Sequence, residues 1–144
     1  MSKLKQMDNS DFPEAAKKHL EDAKSLFIQN RFTGSAYLTG YVYECILKTF
    51  LQIDKGISKI HDLNQLSSEA ITCGSLTGKK TAKYHRAFQF NKVTYDKNGK
   101  QGWGEIIRYF DEEFLDEQKA DKWLTDAENF YNASIRQMKL DGLV

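Results

Sequence analysis

The sequence is poor in cysteine and proline and has no long apolar run. Its two cysteines, Cys45 and Cys73, are too few and too far apart for a disulfide framework or a four-cysteine zinc site, so we interpret both as free thiols. No apolar stretch approaches the roughly 18 to 20 residues that span a bilayer, and the first residues lack the apolar core of a secretory signal. We therefore expect a cytoplasmic protein that does not enter the membrane.

The chain also lacks a net charge of either sign. Lysine and arginine total 21 against 20 aspartate and glutamate residues, which gives no global argument for binding nucleic acid or an anionic membrane. Apolar residues make up 40% of the 144 residues, enough for a core, and this length fits one domain. We expect a single globular domain over residues 1–144.

The sequence signatures of several common catalytic and cofactor sites are missing. The segment closest to a P-loop has its glycines, Gly74 and Gly78, only four residues apart and follows no apolar strand. The three histidines, His19, His61 and His85, lie in separate segments without the HExxH or ExxH spacing of metal-binding helices. We predict no metal ion, no cofactor and no catalytic nucleophile.

Apolar residues recur instead at steps of three and four, which predicts helices. Asp11 and Pro13 mark the start of the first helix, and Arg31 to Gly34 contains the break before the second. The second helix is apolar on almost every face, which is typical of the central helix of a bundle. The expected architecture is all-α, a mostly antiparallel bundle of four or five helices with an irregular excursion at about 74–102. The predicted helices cover about 12–30, 36–53, 63–74, the stripe Trp103, Ile107, Phe110 and Phe114, and a last long helix through Ala120 and Met138.

Two charged residues in the apolar helix and a histidine in the loop after it are candidates for function. Glu44 and Lys48 stand four residues apart, and a carboxylate in so apolar a helix needs a partner to offset its desolvation. Structural pairing is favoured over direct ligand contact. His61 precedes Asp62, whose side chain can cap the third helix, and capping is the favoured interpretation there.

In this order, the segments SAYLTGYVYECILKTFL, HDLNQL, WGEIIRYF and QKADKWLTDAENF resemble the HEPN (higher eukaryotes and prokaryotes nucleotide-binding) domain family over about residues 13–140. The resemblance implies an antiparallel helical bundle that commonly dimerises, often beside a nucleotidyltransferase-like protein partner, or that acts in toxin-antitoxin and defence systems. A nucleotide or RNA would be a further partner. The candidate ligand-binding or partner-binding residues are Glu44, Lys48, His61, Arg108, Tyr109, Lys79, Lys80, Lys83 and Arg86.

Ribonuclease members of that family carry an arginine, four to six intervening residues and then a histidine, which serves proton transfer. After Arg108 those positions hold Glu113, Phe114 and Leu115, and no other arginine of the chain is followed by a histidine at this spacing. The favoured function is therefore a noncatalytic binding module, and the alternative is a ribonuclease with a degenerate active site. Arg108 could help bind phosphate, but a salt bridge within the acidic helix around Asp111 is favoured.

Charge is divided unevenly between two neighbouring segments. The basic segment, residues 79–100, carries seven lysines and arginines against Asp96 alone, whereas residues 105–128 are strongly acidic. The basic segment, with its aromatic residues, could contact an anionic partner such as nucleic acid. It could equally fold over its own acidic helix, and a solvated or self-complementary face is favoured. The basic residues are Lys79, Lys80, Lys83, Arg86, Lys92, Lys97 and Lys100.

Overall fold

The first two helices form a hairpin in the computed structural model, which describes residues 1–75, 78–87 and 103–144. Helix α1 runs from Phe12 to Ile28 and begins where predicted, because the Asp11 side chain accepts a hydrogen bond from the Glu14 amide at 3.3 Å. Asn30 turns the chain with a left-handed φ of 60°. Helix α2 then starts at Phe32 and runs to Asp54. The break between the helices is thus shorter than predicted.

Helix α2 is the central helix, as predicted. Fifteen of its 23 residues are buried, and every residue from 42 to 51 is among them. It packs against α1, against α3 (Leu63–Gly74) and against α4 (Glu117–Tyr131). A helix that contacts neighbours on three sides has no solvent face over most of its length, which explains its apolar sequence.

A capped helix start and a short 3₁₀ helix flank the segment that follows α2. Asp62 caps α3 by accepting a hydrogen bond from the Gln65 amide at 2.8 Å, as expected. A 3₁₀ helix spans Ala82–Ala87, within the irregular excursion predicted at about 74–102. The rest of that excursion, residues 76–77 and 88–102, lies outside the described residues.

The helix predicted through Trp103 and Phe114 is wrong. A 3₁₀ helix covers only Glu105–Tyr109, and Phe110 leaves it with an extended ψ of 151°. The Asp111 side chain accepts a hydrogen bond from the Glu113 amide at 3.0 Å, a local bond that competes with helical backbone pairing. The Phe110 and Phe114 rings still meet at 4.6 Å, so the apolar spacing is satisfied by a turn.

The last helix continues through three segments. Helix α4 (Glu117–Tyr131), capped by Asp116, passes into a π-helical turn at Asn132–Arg136 and then into α5 (Gln137–Leu140). The long helix predicted through Met138 is therefore confirmed, with a π turn that the periodicity did not predict. Within the described ranges the fold is all-helical with no strand, which confirms the predicted bundle. Among those residues, no helix combines the length and apolarity that crossing a membrane requires.

Candidate functional site

Glu44 and Lys48 form an ion pair inside the bundle. The Lys48 Nζ lies 2.9 Å from Glu44 Oε1, and the two side chains are only 7% and 6% exposed. Consecutive turns of α2 place them together, and packing on three sides of α2 removes both from water. Desolvating two charges costs several kcal/mol in a typical protein interior, by order of magnitude, and apolar residues of similar volume would pack without that cost. The pair is thus a candidate for a role beyond packing.

His61 extends this pair to the surface. Its Nδ1 lies 2.8 Å from Glu44 Oε1, while its side chain is 65% exposed. A carboxylate only accepts, so Nδ1 carries the hydrogen and donates it. Lys48 Nζ, 3.4 Å from the same nitrogen, is also a donor, so the two share Glu44 Oε1 as their acceptor. The sequence interpretation of the loop as a cap is incomplete, because Asp62 caps α3 while His61 contacts Glu44.

The Glu44–Lys48–His61 cluster borders a cavity of about 560 Å³ between the segment before α1, α1 and α2. Glu44 and Lys48 contribute to its wall, whereas His61 does not. The cavity also includes Cys45, and burial raises the pKa of that thiol to about 12, so it stays protonated at neutral pH. This agrees with a packing role for Cys45. The other lining residues are Asn9, Ser10, Asp11, Phe12, Glu14, Ala15, Lys18, His19 and Tyr41.

His19 and Tyr41 are two ring-bearing members of this cavity that sequence reasoning did not propose as ligand contacts. Their rings lie 5.5 Å apart. Burial, followed by the nearby charge of Lys18, lowers the pKa of His19, so its imidazole is neutral at pH 7. Burial, followed by the hydrogen bond with Tyr37 at 2.7 Å, raises the pKa of Tyr41. The signal that could have identified His19 in the sequence is its helical spacing, because it lies three residues after Ala16, which is buried.

Two polar atoms at this cavity have no hydrogen-bond partner. Glu44 Oε2 and His19 Nδ1 are both buried and unpaired, although each belongs to a residue that lines the cavity. Buried polar groups in native proteins are nearly always hydrogen-bonded, so unpaired ones require an explanation. Because both residues line the cavity, these two atoms are candidates for hydrogen bonds with a bound molecule.

Arg108 and Tyr109 do not join the cluster. Arg108 lies on the 3₁₀ helix, where its Nε donates to the Glu105 carbonyl at 3.3 Å and its guanidinium is 5.7 Å from the Tyr109 ring. Its carboxylate neighbour is Glu105 at 3.9 Å, so the favoured local salt bridge forms, but with Glu105 and not with a residue around Asp111. The tyrosine ring is 79% exposed. The pKa of Arg108 is raised, mainly by the Coulombic interaction with Tyr37. The guanidinium therefore stays charged.

The described part of the basic segment is tied to two aspartates outside the acidic segment. Lys79 Nζ donates to the Asp54 carbonyl at 2.8 Å, and the Lys80 amide donates to the Asp54 carboxylate at 3.1 Å. Lys83 pairs with Asp141 at 2.9 Å, which raises the pKa of Lys83. These contacts join the segment to the end of α2 and to the end of the last helix. The side chain of Arg86 and the residues Lys92, Lys97 and Lys100 lie outside the described residues.

Comparison with known proteins places the chain in a family. No curated protein and no solved structure matches it significantly. A family model does match, that of the HEPN domain, and it covers residues 10–138. The matched region contains all of α1 to α4 as well as the Glu44–Lys48–His61 cluster. The chain therefore belongs to the HEPN domain family.

Proposed function

We propose that this chain is a noncatalytic HEPN module that binds a protein partner or a small nucleotide-bearing ligand and does not cleave RNA. The observation that carries the proposal is the position of Arg108. It contacts Glu105 and Tyr109, and no histidine is among its hydrogen-bond, ion-pair or ring partners in the described part of the chain. General acid-base catalysis requires the proton-transferring group within reach of the reacting atoms. The arrangement supports binding more than hydrolysis.

The binding role is supported by the Glu44–Lys48–His61 cluster and its cavity. The cluster combines an exposed imidazole, a buried carboxylate and a buried ammonium, and the cavity volume is in the range of small-molecule sites. Such convergent polar groups in a cavity are the usual basis for a binding-site hypothesis. The proposed partners are a second copy of this chain, a nucleotidyltransferase-like protein or a nucleotide. A role in a toxin-antitoxin or defence system follows from the family resemblance alone.

An RNA cleavage assay with Arg108→Ala as the paired variant tests the noncatalytic proposal. We expect no cleavage that depends on Arg108, because acid-base catalysis contributes about 100- to 10,000-fold and no histidine follows Arg108 at the ribonuclease spacing. Glu105→Ala, which removes the partner of Arg108, is the control. Cleavage that survives rigorous purification and disappears in Arg108→Ala would show that the chain is a ribonuclease with an altered active site.

Oligomeric state and gene context test the partner proposal separately. We expect light scattering to show a dimer at high micromolar concentration, and a monomer at that concentration would count against dimerisation. A neighbouring gene for a nucleotidyltransferase would identify the expected protein partner. Co-purification of the two products would then measure the interaction directly.

A further inference from the structure

Glu44 has one carboxylate oxygen in use and one free. Oε1 accepts hydrogen bonds from Lys48 at 2.9 Å and from His61 at 2.8 Å, whereas Oε2 has no partner. The side chain is 94% buried, so bulk water does not satisfy the second oxygen. A carboxylate offers about four acceptor positions, and leaving a buried one unused is costly. The free oxygen needs a hydrogen-bond donor.

His19 supplies a second free acceptor on the same cavity. Its Nδ1 is buried and unpaired, and its imidazole is neutral because burial disfavours the charged form. A neutral imidazole with its hydrogen on Nε2 presents a lone pair at Nδ1. Glu44 and His19 both line this cavity. One ligand group with several N–H donors would satisfy both atoms.

Carboxylates outnumber ammonium groups by one among the side chains that line the cavity. Three carboxylates, Asp11, Glu14 and Glu44, face two lysines, Lys18 and Lys48. Lys48 is already held by Glu44 and lies 5.5 Å from the centre of the Phe12 ring. Lys48 therefore fills the space between this carboxylate oxygen and the aromatic ring, and Oε2 is the oxygen left for a further donor. An anion would meet the buried carboxylate instead.

Aromatic groups complete the wall on the α1 side. The rings of His19 and Tyr41 lie 5.5 Å apart at an angle of 36°, and both residues line the cavity. Burial and the Tyr37 hydrogen bond keep the Tyr41 phenol protonated, so this ring brings no negative charge of its own. Its face can cover the hydrocarbon part of a ligand while the polar end meets Glu44.

We propose that this cavity binds the primary ammonium group of a small alkyl amine, which donates to Glu44 Oε2 and His19 Nδ1. The proposal rests on the proposed function only in that the module binds a small ligand at this cluster. If amine binding fails, the noncatalytic module can still stand. An RNA cleavage assay on the same preparation separates the two outcomes.

The test is titration of the full chain with three probes of similar size, followed by NMR. Butylammonium has a charge and N–H donors, tetramethylammonium has a charge without donors, and n-butanol has a hydroxyl without charge. We expect saturable shifts of cavity resonances with butylammonium at a Kd below about 10 mM, as suits a ligand of a few heavy atoms. The other two probes should bind at least about tenfold more weakly, because charge-assisted hydrogen bonds are the strong ones. Equal binding of tetramethylammonium, or no saturable binding of butylammonium because water alone fills the cavity, would overturn the proposal.

Two variants locate the contact. Glu44→Gln keeps the size of the side chain but removes its charge and should weaken butylammonium binding by about tenfold or more. His19→Phe keeps an aromatic ring but removes the second acceptor and should weaken binding several-fold. Glu105→Gln changes an exposed glutamate outside the cavity and should leave the Kd unchanged. If Glu44→Gln does not fold, His19→Phe decides, and a Kd for this variant within twofold of the unmodified protein would overturn the proposal.

Discussion

Two pairs of opposite charges in this chain have similar sequence spacing and opposite surroundings. Glu44 and Lys48 are four residues apart, 2.9 Å from each other and 6% and 7% exposed. Glu105 and Arg108 are three residues apart, 3.9 Å from each other and 51% and 45% exposed. The first pair lies in the helix that contacts three others, and the second lies in a short 3₁₀ helix at the edge of the bundle. The same local charge pattern therefore contributes differently to the free energy of unfolding in the two regions.

The difference teaches where a polar group requires compensation. Water supplies partners to Arg108 and Glu105, so neither depends on the other. Glu44 is buried away from water, and its partners are Lys48 on its own helix and His61 in the loop before α3. One of its oxygens is still unpaired. A buried charge with an unmet hydrogen bond marks the more informative of the two regions for function.

The largest expected effect comes from breaking the buried pair on one side. Lys48→Met keeps most of the side-chain volume but leaves the buried Glu44 carboxylate with His61 as its one partner within the described residues. We expect the free energy of unfolding to fall by about 3 to 5 kcal/mol, the range for a buried charge left without its ionic partner. Urea unfolding followed by circular dichroism measures the change. A loss below about 1 kcal/mol would show that the pair is solvated.

The contact between Gly40 of α2 and Trp103 should give the next largest effect of a substitution on stability. A Cβ at Gly40 of α2 would lie 1.6 Å from Trp103 Cε2, and Trp103 Nε1 donates to the Tyr37 carbonyl at 2.7 Å. Gly40→Ala must therefore displace the indole, and we expect a destabilisation of about 1 to 3 kcal/mol with a change in tryptophan fluorescence.

Gly34→Ala is the matched control for that substitution. Its Cβ would meet Leu26 Cδ1 at 3.4 Å, an ordinary contact. Alanine is also the better helix former by up to about 1 kcal/mol. We expect Gly34→Ala to leave stability unchanged or slightly higher. Equal losses at both glycines would mean that Trp103 does not occupy the groove beside Gly40.

The pH dependence of stability is a further measure of what burial does to a polar group, here to the histidines His19 and His85. Burial lowers the pKa of both His19 and His85 in the folded state, whereas histidines of an unfolded chain titrate near about 6.5. Below that pH the unfolded state takes up protons first, so the free energy of unfolding decreases as the pH falls toward the lowered native pKa values. The stabilisation is complete above the unfolded value.

Urea midpoints between pH 7.5 and 5.5 measure this effect. We expect the urea midpoint to fall as the pH decreases. The change of the midpoint per pH unit should be smaller in His19→Gln, and smaller again when His85→Gln is added. An unchanged slope in the double variant would mean that other groups cause the pH dependence.

The smallest expected effect belongs to the exposed pair. Arg108→Met makes a change comparable to Lys48→Met at a side chain that water already surrounds. We expect its urea midpoint to equal that of the unmodified protein within error, because exposed pairs contribute little. A clear loss at Arg108 would remove the contrast on which the comparison of the two regions rests.

Much of the fold was predictable because helices have local signals. Asp11 and Asp62 cap α1 and α3 as their positions predicted, and the apolar helix through Glu44 is the central one. The helix through Trp103 and Phe114 was mispredicted for a physical reason. Apolar spacing of three and four also suits a turn in which two rings contact each other, as Phe110 and Phe114 do.

The sequence by itself determined the family, the helical periodicity, the end caps and the pairing of Glu44 with Lys48, since all of these depend on residue types at short separations. Tertiary structure alone decided that His61 reaches Glu44 across 17 residues of chain and that His19 of α1 lines the same cavity. It also decided that Lys80 and Lys83, in the described part of the basic segment, meet Asp54 and Asp141. The reason is that helix packing brings distant residues together through shape and burial, which no local pattern encodes.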